Sequence, residues 1–325
     1  MADGGSRRAA PRGASDTAEP LPAIRERVLV VDDFLPAELA EAMRADIDAH
    51  FADPQQHKPD THQVWNYWFV PELYAYLRTQ PEKVIGEPRV RAFHDHLRGW
   101  SLMTLGLGGV TWPYLSLYVP GCRQNLHNDS VNGRFGFVFS LTRNERRTIG
   151  GETIVHREGD PFRALSARPG AGGDFYESIA PRFNRLVIFD DRLPHAVERI
   201  EGSMDPREGR FVLHGHISEQ GPAAAGALPP AAAVGPARAA IHAFTTAHFI
   251  DGYQGLISVQ LDILPDGSVA DCRLLLDRVI HPDARDTRWP GLARTLVAQL
   301  AAARFPAADG PTRLMLPIVF GSPVG

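Results

Sequence analysis

Cysteine is nearly absent: Cys122 and Cys272 are the only two in 325 residues. A disulfide framework is therefore excluded, and a hydrophobic core has to hold the chain together. No apolar run approaches the roughly 20 residues of a membrane-spanning helix, and membrane partners are not expected. The N-terminal Met1-Ala-Asp-Gly-Gly-Ser-Arg-Arg carries charge with no apolar stretch behind it, so no signal peptide is expected and the expected location is cytoplasmic. A broad basic patch is also missing, and the net charge is -4, which argues against a nucleic acid held by its phosphates. What is present, 44% hydrophobic and 22% charged residues, suits a soluble protein with ample chain for a core.

Punctuation divides the chain into four stretches. Residues 1–22 are rich in Gly, Ala, Pro and Arg and read as a disordered tail. Residues 23–218 begin with a strand, Val28 to Val31, and an amphipathic helix over Pro36 to Phe51 that should buttress a sheet. A second helix is expected between Pro71 and Leu97, followed by the short strands and Gly/Pro turns of a jelly roll. Between these two helices, His57, His62, Trp65, Tyr67 and Trp68 form an aromatic-rich segment, for which packing is favoured over a substrate lid. Residues 219–240, dominated by Ala, Pro and Gly, read as an interdomain linker. Residues 241–325 hold an alternating strand at Gly255 to Ile263, a turn at Pro265-Asp-Gly267 and a returning strand to Leu276. A helix over Leu292 to Ala303 and a last strand, Thr312 to Phe320, complete a small ββαβ unit. The fold class expected is mainly β with flanking helices plus a small α+β unit.

Thirteen histidines are available, and one pair stands in a chemically distinctive place. His127-Asn-Asp129 follows a strand-like stretch, and residues two apart on a strand point the same way, so the two side chains can face one metal ion. A third ligand has to come from a distant strand, and Arg185-Leu-Val-Ile-Phe189 leads towards His195. Two imidazoles and a carboxylate are the set that holds Fe(II) on one face and leaves positions free. Downstream, Arg210-Phe-Val-Leu-His-Gly-His-Ile217 puts Arg210, Val212, His214 and His216 on one face and the apolar residues on the other. An inward guanidinium there can hold a carboxylate through paired hydrogen bonds, which lysine cannot reproduce. His281-Pro-Asp283 repeats the His-x-Asp spacing, but its proline and polar surroundings mark a turn.

These residues, in this order, resemble the Fe(II)- and 2-oxoglutarate-dependent dioxygenases, prolyl-hydroxylase-like branch, over residues 28 to 218. Tyr118-Val-Pro-Gly121, His127-Asn-Asp129, Gly150-Gly151-Glu152 and the Leu186 to Val197 segment resemble that family's motifs. The resemblance implies Fe(II) held by His127, Asp129 and His195, 2-oxoglutarate anchored by Arg210, O2 as oxidant and ascorbate as a candidate reductant. Tyr118 is a candidate cosubstrate contact, with a core role as its alternative. The implied reaction is hydroxylation of a C–H bond with release of succinate and CO2, on a peptidyl residue or an amino-acid-like molecule. The Asp129 carboxylate disfavours halogenation. Leu264-Pro-Asp-Gly-Ser-Val269, Ala303-Arg-Phe-Pro306 and Leu316-Pro-Ile-Val-Phe320 resemble the C-terminal domain of TonB-like proteins, which implies a module for binding a partner or for dimerising.

Departures leave alternatives open. A polar insert, Glu201 to Gly209, separates His195 from Arg210, so Arg199 and Arg207 compete for the arginine's role. His214 and His216 are either core histidines or substrate contacts. Asn132 and Arg134 read chiefly as turn residues, and Cys122 as incidental. A degenerate, non-catalytic scaffold and a cupin-type metal enzyme that does not use 2-oxoglutarate are the competing classes of function. Asp129→Ala is expected to remove most hydroxylation, and activity retained in full overturns that ligand assignment.

Overall fold

A computed structural model of the chain describes residues 23–24, 26–52, 64–156, 176–283 and 285–321. The expected N-terminal tail, His57 and His62 lie outside the described residues. β1 (Val28–Val31) is followed by α1 (Ala37–His50). α1 buries Ala40, Met43, Arg44 and Ile47, the three- and four-residue spacing of a helix face turned to a core.

The segment after Pro71 differs from expectation. β2 (Asn66–Val70) turns back into β3 (Tyr74–Thr79), and only then does α2 (Glu87–Leu105) begin. In β3 the period-two alternation wins, with Tyr74, Tyr76 and Arg78 on one face. α2 opens with Pro88 in its first turn and closes at Gly106, whose φ of 70° is the left-handed cap that glycine supplies without strain.

The strands that follow are β4 (Gly109–Val110), β5 (Tyr114–Tyr118), β6 (Arg123–His127), β7 (Phe135–Ser140), β8 (Thr148–Ile149) and β9 (Thr153–His156). Next come β10 (Tyr176–Ile179), β11 (Arg185–Asp190), β12 (His195–Val197), β13 (Glu201–Gly202) and β14 (Arg210–Ser218). β8 and β13 pair with each other; the others join the earlier strands in an antiparallel sheet in the order β1-β11-β7-β14-β5-β3-β6-β12-β9-β10, with β2 on β3 and β4 on β14. The β3–β6 pairing is short, Tyr74 with Gln124 and Ala75 with Arg123, and there the sheet curls over. The curl brings the Arg210 side chain on β14 against Thr153 on β9. The result is a mainly β architecture with a curled antiparallel sheet, consistent with the jelly roll expected.

Alternation sorts each strand between two surroundings. Leu115, Leu117, Phe137, Phe139, Phe211 and Leu213 face outwards into a core sealed by Met43, Ile47, Phe93 and Leu97 of the two helices. The opposite face, carrying Tyr118, Val212 and Arg210, is enclosed by the curl. The helices thus stiffen the sheet from behind and leave its concave side for chemistry.

Residues 219–240, expected as a linker, contain regular structure. Ala223–Gly226 form β15, which pairs with β18 (Thr312–Phe320), and Pro230–Ala247 form α3. Alanine is the strongest helix former, and Pro230 stands at the first helical position, where a missing N–H is harmless. The same Ala and Pro residues therefore build a helix once a sheet is there to pack against. β16 (Gly255–Ile263), β17 (Val269–Asp277) and α4 (Trp289–Ala301) complete a four-stranded sheet ordered β15-β18-β16-β17, with α3 and α4 on its apolar face.

This sheet is joined to the curled one by buried contacts. Leu256 and Leu276 belong to the same apolar cluster as Leu105 and Leu107, and the Ser258 hydroxyl donates to the Leu105 carbonyl. Arg278 donates to the buried Asp190 carboxylate at 2.7 Å, and Arg192 donates to it at 2.7 Å as well. Burial raises the Asp190 carboxyl, but the two guanidiniums outweigh it and hold it at about 2. That value lies below the ordinary ~3.9, so the pair's stabilisation is present above pH ~4 and is lost as the carboxylate protonates on further acidification. Arg278→Ala is expected to cost about 3 kcal/mol at neutral pH, the low end for a broken buried pair because Arg192 remains. Denaturant midpoints check it. The deficit should shrink below pH ~4, and an unchanged midpoint at neutral pH contradicts the assignment.

Candidate metal centre and pocket

β6 and β12 set the site. Their antiparallel register pairs His127 with His195, and the two imidazole centroids lie 4.3 Å apart. Both local expectations about these residues need adjusting. His127 ends its strand, and Asp129 lies beyond it in the following turn, held by its own N–H to the Asp191 carbonyl at 3.0 Å. His195 opens β12 after a turn, rather than ending the strand before it. The turns, not strand alternation alone, bring Asp129 Oδ2 to 3.4 Å from His195 Nε2. One ligand atom from each of His127, Asp129 and His195 lies within 4.8 Å of the others.

The donor set is oriented for a cation. Nδ1 of His127 faces the Asn125 carbonyl at 2.7 Å, and Nδ1 of His195 faces the Leu193 carbonyl at 3.0 Å. A carbonyl only accepts, so each Nδ1 carries the proton and each Nε2 keeps its lone pair for a metal. Burial lowers the His127 imidazole, and the neighbouring His195 adds to this, so His127 is neutral as a ligand must be. Burial raises the Asp129 carboxyl, but without a metal a proton on His195 Nε2 gives it a hydrogen bond and an opposite charge that hold it at about 2; a metal ion takes the place of that proton. Asp129 is therefore ionised. A second grouping, Asp129 with Asp191 and His216, also comes together, but there His216 Nδ1 is engaged with Asp191 at 3.1 Å.

The concave face beside these residues is a cavity of about 230 Å³. Arg210 lines it at 1% exposure. Its Nη2 donates to Thr153 Oγ1 at 3.0 Å, its guanidinium carbon lies 4.8 Å from the centre of the Tyr118 ring, and its Nε has no partner. The competing arginines are elsewhere: Arg199 pairs with Glu201 and Arg207 with Asp205, both largely exposed. Tyr118 is buried beneath Arg210 and donates from its hydroxyl to Gln124 Oε1 at 3.0 Å. Burial pushes its phenol well up, so it stays protonated.

The Gly150-Gly151 pair has a steric reason. Both have φ of 82°. A Cβ on Gly150 would stand 1.9 Å from the Arg199 carbonyl oxygen, and one on Gly151 would stand 2.4 Å from Ile200 Cδ1 and 3.0 Å from Arg210 Cδ. The glycines let this turn pass close enough for Thr153, at the head of β9, to reach Arg210.

The remaining residues divide clearly. His214 and His216 both line the cavity; His214 Nε2 meets Ser116 Oγ at 2.8 Å, and burial lowers its imidazole to about 3, so it is neutral. Asn132 lines the cavity and donates to Asp129 Oδ1 at 3.2 Å, more than the turn role expected of it. Arg134 turns away to Glu219. Cys122 is a buried thiol packed near Tyr118. His281 and Asp283 form an exposed turn. Sequence reading passed over Thr153, Gln124, Gly136 and Arg78. For Thr153 a signal existed, since it begins the strand that Gly150-Gly151 introduces.

No protein-family model matches this chain, and no curated protein matches it. Its structural neighbours among solved proteins are prolyl hydroxylases, at low identity. One is the prolyl hydroxylase from Trichoplax adhaerens, solved with a hypoxia inducible factor oxygen degradation domain peptide fragment. It has 12% identity and a TM-score of 0.43, covering 58% of this chain and 82% of that one. Another is a Pseudomonas putida prolyl-4-hydroxylase, with 18% identity and a TM-score of 0.42, covering 60% and 94%.

Gly151→Ala is expected to destabilise the protein by about 1–3 kcal/mol and to displace the Arg210 side chain, weakening carboxylate binding in the cavity. Thermal denaturation together with a 2-oxoglutarate titration checks both effects. A variant with unchanged melting and unchanged affinity contradicts this account of the glycine.

Proposed function

We propose that this protein is an Fe(II)- and 2-oxoglutarate-dependent oxygenase that hydroxylates a C–H bond of a peptidyl residue or an amino-acid-like substrate. The observation that carries the reading is Arg210, a buried guanidinium with an unpartnered Nε in the cavity that also holds the His127, Asp129 and His195 donors. Isolating a cation from water costs several kcal/mol unless an anion meets it. Among the described residues no carboxylate pairs with Arg210, which leaves its free edge suited to an anionic ligand.

In this reading His127 and His195 present Nε2 and Asp129 presents its carboxylate, the donor types Fe(II) takes. Bound there, Fe(II) with 2-oxoglutarate and O2 supplies oxidation of a C–H bond, with succinate and CO2 as co-products. Arg210 holds the far carboxylate of the cosubstrate through the edge of its fork. Thr153 and the Tyr118 ring hold that fork in place, and Gln124 fixes Tyr118 in turn. Asn132 steadies Asp129. The catalytic unit is assigned to residues 23–218, with the C-terminal sheet packed against it.

The test is succinate formation from 2-oxoglutarate by the anaerobically reconstituted Fe(II) protein on admitting O2, without added substrate. Slow turnover is expected in the wild type. Arg210→Ala should weaken 2-oxoglutarate binding by roughly tenfold or more, the worth of a lost charge-assisted hydrogen bond. Arg210→Lys should fall between, because it keeps the charge and loses the fork. A wild-type protein that neither turns over nor binds 2-oxoglutarate overturns the proposal and favours a scaffold or a metal enzyme of another kind.

A further inference from the structure

A second guanidinium lines the same cavity and the cosubstrate reading leaves it unused. Arg78 on β3 pairs across to Ser116 on β5, and Ser116 pairs on to Val212 on β14. It stands one inward-facing step, about 7 Å, from the row holding Tyr118 and Arg210. The rings of Trp68 and Tyr114 lie 3.4 Å and 4.1 Å from its guanidinium carbon. Those rings come from β2 and β5, the strands on either side of β3. They pack against the guanidinium, and the Tyr76 hydroxyl shares a hydrogen bond with it; the rest of its N–H edge is left for a ligand.

Depth and charge separate the two arginines. Arg210 is 1% exposed, whereas Trp68 and Tyr114 are 38% and 44% exposed, so Arg78 belongs to the mouth of the cavity and Arg210 to its floor. Among the described residues no carboxylate pairs with Arg78. Among the described residues that line the cavity, Asp129 is the sole carboxylate. Asp191, close behind, is paired with His216 at 3.1 Å, and with a divalent metal on Asp129 and a dianionic 2-oxoglutarate on Arg210 the remaining charges cancel. The Arg78 charge is left over. His214, whose imidazole burial and the nearby Arg78 charge both lower, is neutral and offers no compensation.

We propose that Arg78 is the anchor for a carboxylate on the organic substrate, received edge-on at the cavity mouth between Trp68 and Tyr114. This rests on the cosubstrate reading above and narrows the substrate class to molecules with a carboxylate placed near the oxidised carbon. A planar monoanion matches one guanidinium edge and one unbalanced charge. The carboxylate is either a free α-carboxylate or the acidic side chain of a peptide, and these sources are separable.

Anaerobic calorimetry on the Mn(II)-loaded protein with 2-oxoglutarate provides the test. N-acetyl-L-leucine against N-acetyl-L-leucinamide probes a terminal carboxylate. N-acetyl-L-aspartic acid α-methylamide against the matching asparagine compound probes a side-chain carboxylate. In at least one pair the acid should bind about tenfold tighter than the amide. Arg78→Gln should erase that preference, and Arg78→Lys should keep part of it. Equal affinity of acid and amide in both pairs, or binding of none of the four, overturns the anchor. So does loss of 2-oxoglutarate binding in Arg78→Gln alone, which assigns Arg78 to the cosubstrate. A wild type that binds no 2-oxoglutarate overturns the cosubstrate reading instead, and the acid–amide comparison repeated without 2-oxoglutarate then decides the anchor.

Discussion

The antiparallel pairing of β6 with β12 sets His127 opposite His195, and the rest of the site depends on that register. A slip of one residue would send one imidazole to the other face of the sheet. The Asp129 carboxylate is added by the turn after β6, whose backbone is tied to the Asp191 carbonyl in the turn before β12. One pair of neighbouring strands and the two turns at their ends therefore supply all three donors. The ring of Phe189, 4.5 Å from that of His195, packs in from β11. Gly136 makes room for it, since a Cβ there would stand 2.7 Å from the Phe189 ring.

Charge governs the other half of the cavity. The curl of the sheet takes Arg210 out of water, and the hydration it loses is not replaced by any carboxylate of the described chain. Thr153 and the Tyr118 ring hold the cation without neutralising it. Such a group is costly to keep and useful only when an anion arrives. Arg78, nearer solvent and supported by the rings of Trp68 and Tyr114 and by the Tyr76 hydroxyl, repeats the device at lower cost. The cavity thus presents two cationic edges at different depths beside the donors of His127, Asp129 and His195.

The C-terminal sheet has a structural place in this arrangement. Arg278, just beyond β17, reaches the buried Asp190 at the end of β11, and the chain runs from there through a short turn to His195. Leu256 and Leu276 close the apolar cluster behind the curled sheet. The loop that carries His195 is consequently braced by a second part of the chain.

Period-two patterning made much of this visible in the sequence. The residues Arg210, Val212, His214 and His216 could be assigned to one face because alternation is local and needs no partner strand. The same holds for β1, β16 and β18, whose ends agree with the sequence reading. Reading failed where local signals conflict. The Tyr74 to Thr79 stretch was hidden inside an expected helix, and Arg78 with it. The Ala/Pro/Gly run became a strand and a helix because a sheet edge and an apolar face were waiting for it. By itself the sequence determined which residue types were available for a metal and for a carboxylate, since ligand chemistry and alternation reside in the chain. Only the tertiary structure decided that Arg210 rather than Arg199 or Arg207 enters the cavity, and that Arg78 stands at its mouth. Burial and the pairing of charges are properties of neighbours brought together from distant parts of the chain.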